Sequence, residues 1–421
     1  MDFAHLHVRS GFSYGFGVAT PEDLLEAAAV MKMDALALTD RDGLYGMPRF
    51  LKAAEDLGVS PVVGAEISVE EGGHLILLAE EMKGYGSLCK LLSAYRCSSE
   101  DRRRPLCPLR DLLGYTEGLI CLTGAVPFGL LPRLLFSDDG RKAKKILGHL
   151  REAFGREGVF VGLADDETAG SRRRLRRVAL FAQERGVPTI ATGEVAYVKP
   201  EDHRLHEVLV AASNLGPLPG PGYRSTDRLY LKPPERMAKL FADYPEAPKN
   251  VTAVAERCSG TVRLAGKTHM PTVLLPEGET PKKRLVRLVL KGAKQRYGKP
   301  DERIRSRLRR ELSCIGTLGY ASYFLLAHEA KEVAKGKGIP VTGRGSAANS
   351  LVAYCLGLTQ PEPFSNRLLF ERFLHEHRED PPDIDLDLCS ERRDEARDEL
   401  IGRYDRFGVA VAATANTFSL R

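Results

Sequence analysis

The 421-residue chain contains no tryptophan, and aromatic residues make up only 7% of it. A surface that reads single-stranded bases by stacking needs a series of aromatic rings, and none stands out here. The eight cysteines, at 89, 97, 107, 121, 258, 314, 355 and 389, include no CxxC pair. That spacing argues against a zinc ribbon and against a disulfide framework. No apolar run approaches the roughly 18 residues that a membrane span requires. The opening Met1-Asp2-Phe3-Ala4-His5 lacks a basic stretch followed by an apolar one, so a cytoplasmic location is expected.

What is present is an ordinary globular composition, 43% apolar and 28% charged, long enough for two or three domains. The 62 basic and 56 acidic residues leave a net charge of +6, which permits a polyanionic partner without requiring one. Basic clusters occur at Arg102–Arg104, Arg141–Lys145, Arg172–Arg177 and Arg305–Arg310. Such runs are most often solvated helix faces.

Over the first two hundred residues, short apolar segments alternate with helix-length ones. Strands are predicted at Asp34–Thr39, Val62–Val69, His74–Leu78, Leu119–Thr123, Val159–Gly162 and Pro188–Thr192. A helix is predicted over Glu22–Met31, with Thr20 as N-cap and Pro21 in its first position. This rhythm indicates an α/β domain built on a mainly parallel sheet or barrel. Barrel chemistry sits at strand C-termini, which is where Asp40, Glu66 and Glu194 fall. The Gly/Pro-rich stretches Asn214–Tyr223 and Met270–Gly278 read as a loop and an inter-domain connection. Helices are expected at Pro234–Phe241, Pro248–Cys258, Lys282–Tyr297 and Asp301–Leu318, and another beginning at Ser390.

Two segments of the second half carry chemistry. In Pro382-Asp383-Ile384-Asp385-Leu386-Asp387, strand alternation puts the three aspartates on one face and Ile384 and Leu386 on the other. Neighbouring carboxylates then stand about 7 Å apart, a costly arrangement without a cation. Paired divalent metals on such carboxylates clamp in-line phosphoryl transfer in polymerases and nucleases. A solvated acidic turn is the plainer alternative for an isolated DxD. The second segment, Gly343-Arg344-Gly345-Ser346-Ala347-Ala348-Asn349-Ser350, precedes an apolar helical start at Leu351. Its small residues allow close approach to a phosphate, free N–H groups at the helix start favour an anion, and Arg344 adds a charged donor. Tight helix packing explains such a loop about as often, and it is not a P-loop.

Together, Glu311–Tyr320 (ELSCIGTLGY), GRGSAANSLVAYCLGL, Leu369–Leu374 and PPDIDLDL resemble the palm of the bacterial DNA polymerase III alpha subunit, a C-family polymerase. That palm belongs to the nucleotidyltransferase superfamily that includes DNA polymerase beta. The resemblance implies that Gly345 and Ser346 bind the triphosphate of an incoming nucleotide, and Arg344 beside them is the charged nucleotide-binding donor expected from the residues themselves. The resemblance also makes Asp385 and Asp387 the catalytic carboxylates holding Mg2+, with Asp383 in support. The wording of both motifs is more similar to the error-prone, lesion-tolerant class of alpha subunit than to the main replicase.

In the first half, His5-Leu6-His7-Val8-Arg9, Thr39-Asp40-Arg41, Gly64-Ala65-Glu66 and His74-Leu75 resemble the PHP domain (polymerase and histidinol phosphatase). Active members bind up to three metals through His, Asp and Glu and hydrolyse phosphoesters. His7, Asp40, Glu66 and His74 match that pattern, whereas Arg9 and Arg41 stand where histidines belong. Asp166 replaces a later histidine, and Glu194-Val195-Ala196 replaces Asp-x-His. Arginine stays protonated and cannot ligate a metal. The PHP metals are therefore expected to be absent, with Arg9 and Arg41 pairing with Asp40, Glu66 or Glu194.

The implied fold is a PHP-type distorted (β/α)7 barrel over 1–212, a connection with helices over 213–278, and an incomplete nucleotidyltransferase α+β palm over 279–421. The palm's third carboxylate, the fingers and the thumb are not expected within 421 residues, so the chain alone is expected to lack templated synthesis. The implied partners are primer-template DNA and dNTP, together with a remaining polymerase half, a sliding clamp or lesion-bypass proteins. Two other readings stand beside this one: a PHP phosphoesterase, and a non-catalytic module that binds replication or lesion-bypass proteins.

Overall fold

The computed structural model describes residues 3–101, 104–125, 128–137, 139–218, 227–264, 270–377 and 381–404. Residues 102 and 103 of the first basic cluster, and the predicted loop from 219 to 223, lie outside them. The chain forms two compact units, Met1–Ala265 and Gly266–Arg421. Among the described residues no helix is long and apolar enough to cross a membrane, and all eight cysteines are free.

The first unit is a curled sheet of six strands in chain order: β1 Ala35–Leu38, β2 Ser60–Ser68, β3 His74–Ala79, β4 Leu119–Leu122, β5 Val159–Leu163 and β6 Thr189–Ala191. Each coincides with a predicted strand. β3 runs antiparallel to β2 and β4, and the other neighbours are parallel. Residues 5–9 form a further stave between the sheet's two edges. His5 bridges Leu36 beside β1, and Val8 bridges Val195 beyond β6. Backbone bonds tie it on both sides, from Ala37 N to His5 O (2.9 Å) and from Arg9 N to Val195 O (2.9 Å). Alternation along this stave packs Leu6 and Val8 into the core and sends His7 and Arg9 to the opposite face.

Helices cover the sheet, so its strands are buried on both faces. The first helix, Pro21–Val30, starts as expected. Asp23 N donates to Thr20 Oγ1 (3.2 Å) and Thr20 N donates to Asp23 Oδ2 (3.1 Å), a reciprocal cap.

In the second unit the helices Pro281–Tyr297, Glu302–Thr317 and Ala321–Gly336 pack around a short buried helix, Leu351–Cys355, with Phe324, Phe370 and Phe373 in the core. Two short strands, β7 Val341–Arg344 and β8 Asp385–Leu388, pair antiparallel. The final described helix starts at Arg393 rather than Ser390. Arg392 N closes a turn on Cys389 O, so the chain between is turn and not helix.

Candidate functional sites

In the first unit the stave 5–9 faces β2 across the interior. Glu66, fully buried, lies within β2 rather than past its end, and its Oε2 accepts from His7 Nε2 and Arg9 Nε, both at 2.7 Å. The Arg9 guanidinium also reaches Glu194 Oε1 (3.4 Å) and His7 Nε2 (3.3 Å). Burial pushes the Glu66 carboxyl up, but Arg9, His74 and His7 together hold it well below its usual range. Burial likewise opposes the Arg9 charge, and Glu66 with Glu194 more than offsets it, raising its pKa. Burial lowers His74 to about 4, which leaves its ring neutral at pH 7.

Arg41 Nε approaches Glu66 Oε1 and Asp42 Oδ2, each at 3.7 Å, and donates to Ser68 Oγ (2.9 Å). Of the three carboxylates expected to meet the arginines, Glu66 and Glu194 do so and Asp40 does not. Its carboxylate accepts from Ser10 N (2.7 Å), Ser10 Oγ (2.8 Å) and Ser13 Oγ (2.6 Å), and no arginine reaches it among the described residues. Three neutral donors satisfy it locally, so no guanidinium is needed. Burial still raises its pKa. Asp166 accepts from Thr168 N (3.2 Å) and Arg174 (3.1 Å), which ties it to its own loop and helix. Ala196 is fully buried beside Tyr197 and Leu229.

Sequence reasoning missed Asp42. It is buried at positive φ, accepts from Ser68 N and Tyr95 OH (2.8 Å each) and fixes the end of β2. The adjacent Asp42-Gly43 pair after β1 was the available signal, since Asp tolerates that conformation better than most residues.

The metals of active PHP domains fit this interior poorly. An always-charged guanidinium stands between His7, Glu66 and Glu194, where a cation would have to sit. His7, His74 and Glu194 nonetheless offer ligand atoms within 4.8 Å of one another, and His7 Nδ1 and His74 Nε2 lack hydrogen-bond partners.

In the second unit the β7–β8 register sets Arg344 opposite Asp385 and Thr342 opposite Asp387. Ile384 and Leu386 pack against the core, while Asp387 faces solvent and Asp383 precedes the strand. Gly345 has φ +74, and a Cβ on it would stand 3.3 Å from Asp385 Oδ2, so the glycine loop and the acidic strand lie side by side. Ser346 follows within a single 3-10 turn, Gly345–Asn349. Gly343 permits another close approach, since its N donates to Leu358 O (2.7 Å) and a Cβ would meet that carbonyl at 2.4 Å. Arg344 Nε pairs with Asp387 Oδ1 at 3.0 Å, both half-exposed or more. Tyr323 OH accepts from Ile384 N (3.2 Å), pinning the entry to β8.

The reading of free N–H groups at the helix start requires correction. Fully buried Glu311 accepts from Val352 N (3.0 Å), Ser350 Oγ (2.9 Å) and Arg307 Nε (2.8 Å), and Ser350 Oγ caps Ala353 N (3.1 Å). The helix N-terminus is already filled by the protein's own carboxylate. Arg307 also donates to Asn349 O (2.8 Å), so this pair shapes the loop from behind. An incoming anion is left with Gly345, Ser346 and Arg344. Glu311 lies inside the ELSCIGTLGY motif, but two of its partners, Ser350 and Val352, lie 39 and 41 residues away.

Two known families meet in this sequence. Residues 5–166 match the PHP domain, and residues 283–421 match the bacterial DNA polymerase III alpha NTPase domain. Together the two matches make the chain similar to the N-terminal part of bacterial DNA polymerase III alpha subunits. It is 39% identical over its full length to an error-prone DNA polymerase of Symbiobacterium thermophilum, covering 40% of that protein. It is 33% identical to the DNA polymerase III subunit alpha of Bacillus subtilis, covering 38% of it. An error-prone DNA polymerase of Mycobacterium bovis is also 33% identical over 99% of this chain, with 39% of that protein covered. The chain thus spans about two fifths of the length of the relatives it matches.

Proposed function

We propose that the second unit supplies the triphosphate cradle and metal-binding carboxylates of a DNA-directed DNA polymerase of the error-prone alpha-subunit type. The observation that carries this reading is that a Cβ on Gly345 would stand 3.3 Å from Asp385 Oδ2, so the glycine loop and the acidic strand share one edge. Asp385 and Asp387 would hold Mg2+, which supplies the clamp on attacking and leaving oxygens for in-line phosphoryl transfer. Gly345 and Ser346 receive the triphosphate close to the backbone. Arg344, paired with Asp387 at the surface, is placed to turn to phosphate, where its planar fork donates in pairs. Glu311 and Tyr323 hold loop and strand in register. Primer-template DNA and dNTP are the partners this implies. The subclass rests on the wording of the two motifs, since relatives named error-prone DNA polymerase and relatives named DNA polymerase III subunit alpha are both found at 33% identity.

For the first unit we propose a structural PHP domain in which Arg9, held by Glu66 and Glu194, takes the place of metal charge. A second reading, one ion on His7, His74 and Glu194, is favoured by the two unpartnered ring nitrogens.

The test is Mn2+-dependent binding of a fluorescent dATP analogue by the 421-residue chain. Removing a mere supporting partner of a metal ligand costs about 10–100-fold in affinity, so Asp385→Asn should weaken nucleotide binding by more than about 100-fold. Metal-dependent binding unchanged in Asp385→Asn would reject the assignment.

A further inference from the structure

We propose that the outer face of the helices Gly140–Phe154 and Ser171–Gln183, in the first unit, is a docking surface for the sugar-phosphate backbone of DNA. These helices are the crossovers joining the parallel neighbours β4, β5 and β6. Crossovers of one hand place successive helices side by side on the same face of a sheet. Arg151 NH1 donates to Arg185 O (3.0 Å), which links their C-terminal ends. Their inner stripes are buried, Ile146 and Leu150 on one and Leu175 and Val178 on the other. The basic residues therefore point outward together.

The charge here is too concentrated to be incidental. Residues 141–156 carry six Lys or Arg and one Glu, and residues 172–185 carry six Arg and one Glu. This net charge of +10 exceeds the +6 of the whole chain, so everything outside the face is net acidic. Arg172 and Arg174 are neutralised by Asp165 (2.7 Å) and Asp166 (3.1 Å). Arg141, Lys144, Lys145, Arg173 and Arg176 form no ion pair among the described residues.

Shape adds a second argument. A cleft of about 460 Å³ opens along the second helix, lined by Arg173, Arg176 and Arg177 together with Leu135, Leu180 and Phe181, and by a single acidic residue, Glu184. Arg177 lies over the Phe136 ring, 5.4 Å from its centroid. Guanidinium forks suit phosphate oxygens, and apolar lining residues suit the sugar between them. An acidic protein would match the charge but has no special need of three guanidinium forks side by side. The choice of DNA over another polyanion rests on the polymerase reading of the second unit.

The experiment is fluorescence anisotropy of a labelled DNA duplex with the full chain across a salt series, in EDTA. The variant Lys144→Glu/Lys145→Glu/Arg173→Glu/Arg176→Glu is compared with the parent chain. Each phosphate contact contributes about 0.9 to the slope of log affinity against log salt, so losing four should lower the slope by about 3.6 and low-salt affinity by at least tenfold. The matching Gln variant, which places no new like charges together, should show the same direction and guards against misfolding of the first. Unchanged slope and affinity in a folded variant would overturn the proposal. Competition by poly-glutamate as effective as unlabelled duplex would overturn the assignment to DNA. Because EDTA removes any role for Asp385 and Asp387, failure here leaves the polymerase reading standing, and failure of dATP binding leaves this one.

Discussion

Both units set an arginine against a carboxylate, and the two pairs do opposite things. Arg9 and Glu66 are 8% and 0% exposed, whereas Arg344 and Asp387 are 65% and 55% exposed. Inside the sheet neither charge has water to fall back on, so the pair is committed and any cation that displaced Arg9 would leave an orphan. At the edge of β7, solvent screens the pair and makes it easy to exchange. A buried ion pair can therefore close a metal site, while an exposed one can keep it in reserve.

The most severe break in that comparison is Arg9→Met. It strands Glu66 in the interior and should destabilise the first unit by about 3–5 kcal/mol in urea denaturation. The double variant Arg9→Met/Glu66→Leu should recover much of the loss, and Arg344→Met should leave stability unchanged. Equal effects of Arg9→Met and Arg344→Met would erase the distinction.

Glu311→Ala comes next. It removes the acceptor for Val352 N, Ser350 Oγ and Arg307 at once. A cost of about 1–3 kcal/mol in the second unit is expected, since buried donors are left unsatisfied. Nucleotide binding should weaken with it through the loop, although Glu311 touches no substrate. A variant that binds dATP normally would show that the loop keeps its shape without this support.

The amount of this that the sequence made legible follows from how local each signal was. All six strands and the alternation of Asp385 and Asp387 with Leu386 could be read from runs of a few residues. The seventh stave came only from the family resemblance, because residues 5–9 make only isolated bridges to β1 and Val195 and have no apolar run of their own. The pairing of Arg9 with Glu66 was legible from charge and family pattern. The partners of Asp40 were not, because hydroxyl and backbone donors from Ser10 and Ser13 satisfy it, and charge alone left it as one of three candidate carboxylates for the arginines. Glu311 failed for a different cause, its partner being distant in sequence and close only after the helices pack.

A smaller effect sharpens the rule for buried cations. Lys232 is buried, donates to the Arg228 carbonyl, and burial lowers its pKa to about 8, with Glu167 opposing that shift. The unfolded chain holds this proton up to about pH 10.4, so the burial cost is full below pH 8 and fades as pH rises toward 10.4. Stability of the parent relative to Lys232→Met should rise across that window by roughly 3 kcal/mol at most. A flat difference between the two in pH-dependent urea melts would mean that Lys232 keeps its ordinary pKa in the folded protein, with no burial cost to relieve.

The account turns on where a divalent ion goes. Electron paramagnetic resonance of Mn2+ titrated into the chain, with Asp385→Asn/Asp387→Asn and His74→Ala in parallel, decides it directly. Loss of bound Mn2+ in the aspartate variant and full retention in His74→Ala is the predicted result. Retention in the aspartate variant together with loss in His74→Ala would contradict it, placing the ion in the first unit after all.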